Sequence, residues 1–72
     1  MGRTEEIRDW RGQLVCKANG LEGVIELRTS KSRTVIILPV GGQFAYETET
    51  SYTLIERINP REFYVTSYPN YS

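Results

Sequence analysis

The sequence predicts an all-β domain: a tight barrel of five to six short antiparallel strands behind a short N-terminal helix, with one 3-10 turn before the last strand. Two observations predict it. Apolar and polar residues alternate with a period of two over most of the stretch from Gln13 to Tyr68, the mark of strands with one covered face. The stretches are separated by short clusters of Gly, Asn, Pro and Ser, residues that close turns. Length adds a bound. A chain of 72 residues hides only roughly 60% of its extended surface on folding, so residues 1–72 are expected to form one domain.

The N-terminal segment 1–12 reads as helical. Thr4 before Glu5 and Glu6 suits an N-cap with acids in the first turn, and Ile7 and Trp10 have helical spacing before Gly12. Such a short helix would lay Ile7 and Trp10 over an open end of the barrel. From Gln13 the period becomes two, with Leu14, Cys16 and Ala18 on one face. Asn19-Gly20 signals a tight turn, which Leu21, Glu22 and Gly23 could lengthen. Val24 to Thr29 then alternates with Ile25 and Leu27 inward.

Ser30-Lys31-Ser32 is a polar turn, and Val35 to Leu38 after it is apolar on both faces, so both faces should be covered. Pro39 ends the ladder, and Gly41-Gly42 permits a tight hairpin. Next, Phe44, Tyr46 and Thr48 oppose Ala45, Glu47 and Glu49, with Tyr52 and Leu54 continuing one side past a bend near Thr50-Ser51. Asn59-Pro60-Arg61-Glu62 combines a cap, a proline and a reach-back acid, which predicts the 3-10 turn. Phe63 to Tyr68 is the last strand, and 69–72 a tail. Meandering strands with a 3-10 turn before the last are similar to an SH3-like barrel, and a leading helix before bent strands is similar to an Sm-like barrel. The resemblance is one of architecture and implies no activity.

Composition excludes several functions. Nine basic and nine acidic side chains cancel, so no global field draws a polyanion. One cysteine allows no internal disulfide, and with no histidine the usual transition-metal sites cannot be assembled, so neither metal nor cofactor is expected. The longest apolar run is far below the ~20 residues that span a bilayer, so no membrane association is expected. The polar start Met-Gly-Arg-Thr-Glu-Glu has no apolar signal core, and the unpaired cysteine suits a reducing compartment; both point to a cytoplasmic protein.

Enzymatic chemistry finds no support in the residues. Without histidine, Cys16 lacks the usual base and reads as a small buried hydrophobe. Glu47 and Glu49 share a strand face about 7 Å apart, a spacing open to acid–base work, yet on a polar face they read as solvated. Two binding surfaces remain. Tyr64 and Tyr68 share a strand face and Tyr71 follows, while Phe63 and Val65 fill the core behind them; tyrosine is enriched where proteins meet. The segment from Arg28 to Arg33 gathers Arg28, Lys31 and Arg33 on a hairpin that could touch phosphates, although Arg28 and Arg33 can pair with Glu26 instead.

The sequence therefore points to a non-enzymatic binding module, a small interaction or regulatory accessory protein, with a protein partner or a second copy on Tyr64, Tyr68 and Tyr71. Nucleic-acid binding through Arg28, Lys31 and Arg33 is the alternative.

Overall fold

In the computed structural model, which describes residues 4–70, seven antiparallel strands form two sheets. Strands β1 (Glu5–Arg8), β2 (Leu14–Asn19), β3 (Val24–Arg28) and β4 (Arg33–Ile37) make the first sheet in that order. The second holds β5 (Gln43–Glu47), β6 (Ser51–Arg57) and β7 (Phe63–Pro69). Among the described residues there is no helix, and no ladder joins β4 to β5 or β1 to β7. The all-β expectation holds in this coarser form, while the strands stack as two sheets rather than closing into a barrel. No helix among the described residues is long and apolar enough to cross a membrane.

The predicted N-terminal helix is replaced by β1. A two-turn helix cannot sustain itself in water, whereas residues 5–8 pair with β2, with Glu6 opposite Lys17, Ile7 opposite Cys16 and one register shift before Arg8. Asp9 and Gly12 occupy the first and fourth positions of the turn between them, where aspartate and glycine are favoured. Gly12 has φ 83° and donates its N–H to the Asp9 carbonyl at 2.9 Å. Ile7 is buried, but Trp10 is 48% exposed at the hairpin corner instead of sharing a helical face with it.

That corner is pinned to the other sheet. The Trp10 indole N–H donates to the Thr50 carbonyl (3.1 Å), its backbone N–H to Ser67 Oγ (3.1 Å), and the Arg11 guanidinium to Thr50 Oγ1 (2.8 Å).

Between the sheets lies the core. Ile25 and Ile55 are fully buried, with Ile7, Cys16, Ala18 and Leu38 beside them and Ile36, Phe44 and Val65 packed against the cluster. Each of the two isoleucines contributes about 1.5–3 kcal/mol by leaving water. Toward the Trp10 corner the inner face of the second sheet turns polar: buried Thr53 shares a 3.0 Å hydrogen bond with Ser67, and buried Ser51 one of 3.1 Å with Thr48.

The turns correct several expectations. At Asn19-Gly20 the longer of the two expected turns forms, with Leu21, Glu22 and Gly23 in the loop. Asn19 Oδ1 accepts the N–H groups of Leu21 (3.1 Å) and Glu22 (3.2 Å), and the positive φ falls on Gly23 at 71°. Gly41 has the positive φ expected of it, 91°, but the segment turns a corner from one sheet to the other rather than closing a hairpin. Asn59 caps as the sequence suggests, accepting from Arg61 (2.8 Å) and Glu62 (3.1 Å), yet no 3-10 helix follows. The Arg61–Glu62 backbone is drawn instead against Gly20, where a Cβ would collide with it. Pro69 belongs to β7 and not to a tail. Val35 and Ile37 are 46% and 73% exposed on edge strand β4, so the covering expected for that apolar face is not provided by the described residues.

Arg57, on the inner side of β6, ties three loops together. Nη1 donates to the Leu38 carbonyl at 2.8 Å, and Nη2 to those of Pro60 (3.3 Å) and Leu21 (3.5 Å). Its guanidinium passes over Gly23, which leaves no room there for a Cβ. Gly41 has open space around it. Gly41→Ala should therefore cost only the left-handed backbone penalty, about 1–2 kcal/mol. Gly23→Ala adds the displaced charge-assisted hydrogen bonds, a further cost of about 2 kcal/mol. Urea denaturation of the two variants measures the difference, and equal losses would contradict the role given to Arg57.

Asp9 supplies a pH dependence. Desolvation, the largest single influence, raises its pKa, but the backbone N–H groups of Gln13 and Arg11, the Ser51 hydroxyl and the Arg11 charge together outweigh it and hold the carboxyl below its ordinary value. A depressed folded pKa stabilises above the unfolded pKa, and that stability is lost as pH falls through the folded one. Melting temperature followed from neutral pH into the acid range should thus fall more steeply for the parent chain than for Asp9→Asn.

Candidate functional site

The two hairpins of the second sheet set out a face of nine residues on the side away from the core. Register places Glu47, Tyr52 and Tyr68 in one row, Ala45, Leu54 and Thr66 in the next, and Gln43, Glu56 and Tyr64 in the third. Strand alternation turns Phe44, Ile55 and Val65 inward between these rows. Tyr64 is 56% exposed and Tyr68 47%, and the rings of Tyr52 and Tyr68 lie 5.3 Å apart at 39°. Tyr71 lies outside the described residues.

The electrostatics of this face are one-sided. None of the nine residues is cationic. Glu56 accepts a hydrogen bond from Gln43 Nε2 at 2.9 Å, and Glu47 one from Asn70 Nδ2 at 2.8 Å. Both donors are neutral amides, which orient the carboxylates without cancelling their charge. Among the described residues the ion pairs involve Glu6 and Glu26, neither of which is on this face.

Sequence reasoning finds Tyr64 and Tyr68 but misses Tyr52, Leu54, Glu47 and Glu56 as their companions. It keeps Tyr52 and Leu54 on the side of Phe44 and Tyr46, whereas the turn at Thr48–Ser51 resets the phase: Thr53 and Ile55 are buried and Tyr52 and Leu54 face out. The signal was a Thr-x-x-Ser pattern. It occurs at Thr29–Ser32 and again at Thr48–Ser51, where the threonine Oγ1 accepts the N–H of the serine at 3.0 and 3.1 Å. The same turn removes the Glu47/Glu49 pair, since β5 ends at Glu47 and Glu49 lies beyond it in the turn.

The basic hairpin is arranged differently. Arg28 and Arg33 face each other across β3 and β4, and both reach Glu26 Oε2, at 3.9 and 2.9 Å. Lys31 stands apart at the exposed tip. The three cations therefore do not converge on one point.

A cleft of about 390 Å³ opens on the first sheet where β2 and β3 diverge. Their ladder covers Lys17 to Asn19 only, and Leu14, Val15 and Cys16 face Arg28 and Thr29 across the gap. The chemistry here is inert. Burial pushes the Cys16 thiol up to about 11, so that it stays protonated at neutral pH. Among the described residues no three His, Cys, Asp or Glu side chains are grouped to hold a metal ion. No family model, curated protein or solved structure matches the chain.

Cys16 should resist alkylation in the native state. At pH 8 about one thiol in a thousand would be ionised, and the folded chain covers it. Iodoacetamide followed by mass spectrometry should find Cys16 unmodified under native conditions and fully modified in guanidinium. Rapid native labelling would show the β2–β3 cleft to be open to the thiol.

Proposed function

We propose that the chain is a non-enzymatic binding module, a small interaction or regulatory accessory protein of the cytoplasm, whose protein partner docks on the outer face of β5, β6 and β7. The observation that carries this reading is the gathering of Tyr52, Tyr64, Tyr68 and Leu54 on one sheet face, with Tyr64 and Tyr68 about half exposed. Tyrosine buries a large area with few torsions to freeze and keeps a hydroxyl for the polar rim, which makes it a frequent centre of binding energy. A flat three-stranded face gives such side chains fixed positions, so little entropy is lost on docking.

The non-enzymatic part of the reading rests on chemistry. The sequence has no histidine, and the thiol of Cys16 is buried and protonated at neutral pH. Nucleic acid is the less favoured partner because Arg28 and Arg33 are committed to Glu26, and because Glu47 and Glu56 beside the tyrosines repel phosphate.

The test compares two variants as bait in nuclease-treated extracts. Tyr64→Ser/Tyr68→Ser should lose the proteins that the parent chain retains, by roughly thirtyfold in affinity for a pair at the centre of an interface. Arg28→Gln/Lys31→Gln/Arg33→Gln should retain them. Loss of binding in the second variant alone, together with release of bound nucleic acid on raising salt, would replace this reading with the nucleic-acid one.

A further inference from the structure

We infer that the tyrosine face takes an extended cationic segment of its partner, with two arginine or lysine side chains four residues apart and an apolar one midway between them. The inference rests on the reading of this face as the docking surface and specifies its occupant.

The argument begins with what covering the face would cost. Glu47 shares a row with Tyr52 and Tyr68, and Glu56 shares one with Tyr64, so a partner that buries the rings also dries the carboxylates. Among the described residues only neutral amides, from Asn70 and Gln43, reach those carboxylates, so no counter-charge offsets them. Burying a carboxylate without a counter-charge costs more than an aromatic contact returns. An apolar partner is disfavoured on that ground, and so is a second copy meeting this chain face to face, which would gather four carboxylates and no cation from the two faces in one interface. Nucleic bases could stack on the rings, but stacking platforms work with a cationic groove along the phosphates, and none of the nine residues of the face is cationic.

A cation satisfies both features at once. It pairs with the carboxylate and lies against a ring whose face carries negative potential, and the Tyr52–Tyr68 pair offers two such rings beside Glu47. The two acid-and-tyrosine rows are separated by the row containing Leu54. They stand four residues apart along the strands, about 14 Å at the rise of an extended chain. A partner segment lying along the strands presents alternate side chains to the face at the same rise. Cations at its first and fifth positions meet the two rows, and the third position meets Leu54.

The test titrates the isotope-labelled full chain with acetyl-Arg-Ser-Leu-Ser-Arg-amide and with the same peptide carrying citrulline for arginine, following backbone amides by NMR. The arginine peptide should shift Tyr52, Leu54, Tyr64 and Tyr68, and the citrulline peptide should bind at least about tenfold more weakly. Glu47→Gln/Glu56→Gln, which keeps shape and amide hydrogen bonding, should lose the same factor and most of the salt dependence. Equal binding of the two peptides, shifts centred elsewhere, or no shift of this face at millimolar peptide would overturn the inference. So would a single-stranded oligonucleotide shifting the same amides, or concentration-dependent sedimentation of the chain alone that Tyr64→Ser abolishes. Failure here is separable from failure of the docking surface itself. If the peptide result is negative while Tyr64→Ser/Tyr68→Ser still loses its protein partners, the face stands and only its occupant is wrong.

Discussion

The guanidinium of Arg57 is the interaction on which the arrangement of the two sheets depends. Its acceptors are the carbonyls of Leu38, Leu21 and Pro60, which belong to the β4–β5 corner, the β2–β3 turn and the β6–β7 turn. Among the described residues no ladder joins the two sheets, so this one side chain does at one end what backbone pairing does within each sheet. Its Nε is buried without a partner, a sign that geometry at the other two nitrogens decides the placement. Gly23 follows from it, since the guanidinium occupies the space a side chain would need. The opposite end is held by Trp10 and Arg11, which reach from the β1–β2 turn to Thr50 and Ser67. Between these two polar clasps the apolar cluster around Ile25 and Ile55 can be small and still fix the layers.

The outer face of the second sheet is a by-product of how its inner face is satisfied. Thr53 and Ser51 are buried as hydroxyls with hydroxyl partners, and Ile55 is buried as a hydrophobe. Once these are turned inward, the pleat leaves Tyr52, Leu54 and Glu56 no other direction than outward. The register of β7 then brings Tyr68 and Tyr64 beside them. A turn one residue longer or shorter at Thr48–Ser51 would exchange the two sets and bring a carboxylate into the core.

Much of this was legible in the residues, and the failures share a cause. Period-two alternation locates β2, β3, β4 and β7 to within a residue or two and the start of β5, and it assigns Cys16, Ala18 and Ile25 to the interior, where they are. Local capping chemistry misled. Thr4 with Glu5 and Glu6, and Asn59 with Glu62, carry helix-start patterns, but those patterns are also turn chemistry, and pairing partners distant in sequence decided the outcome. Closure of the barrel could not be read at all, because whether β4 pairs with β5 depends on the corner after Pro39 and on Arg57, neither of which has a period. For the candidate site, Tyr64 and Tyr68 follow from alternation within one strand. Their companions required the phase of a neighbouring strand, which only the turn sets.

The neutrality of the chain is a sum over two unlike surfaces. Lys17, Arg28 and Arg33 stand with Glu6 and Glu26 on the outer side of the first sheet, and Lys31 projects from its hairpin, whereas among the described residues Glu47 and Glu56 have no cation beside them on the outer side of the second. With a core between the layers, the charges of these two faces form a dipole within a chain of zero net charge. A dipole feels little pull from a distant charge, and its field falls off faster than that of an ion, but within a Debye length it experiences a torque. An approaching cationic surface would turn the molecule before touching it. The fold thus gains rotational steering at close range without the long-range, indiscriminate attraction that a net charge would bring.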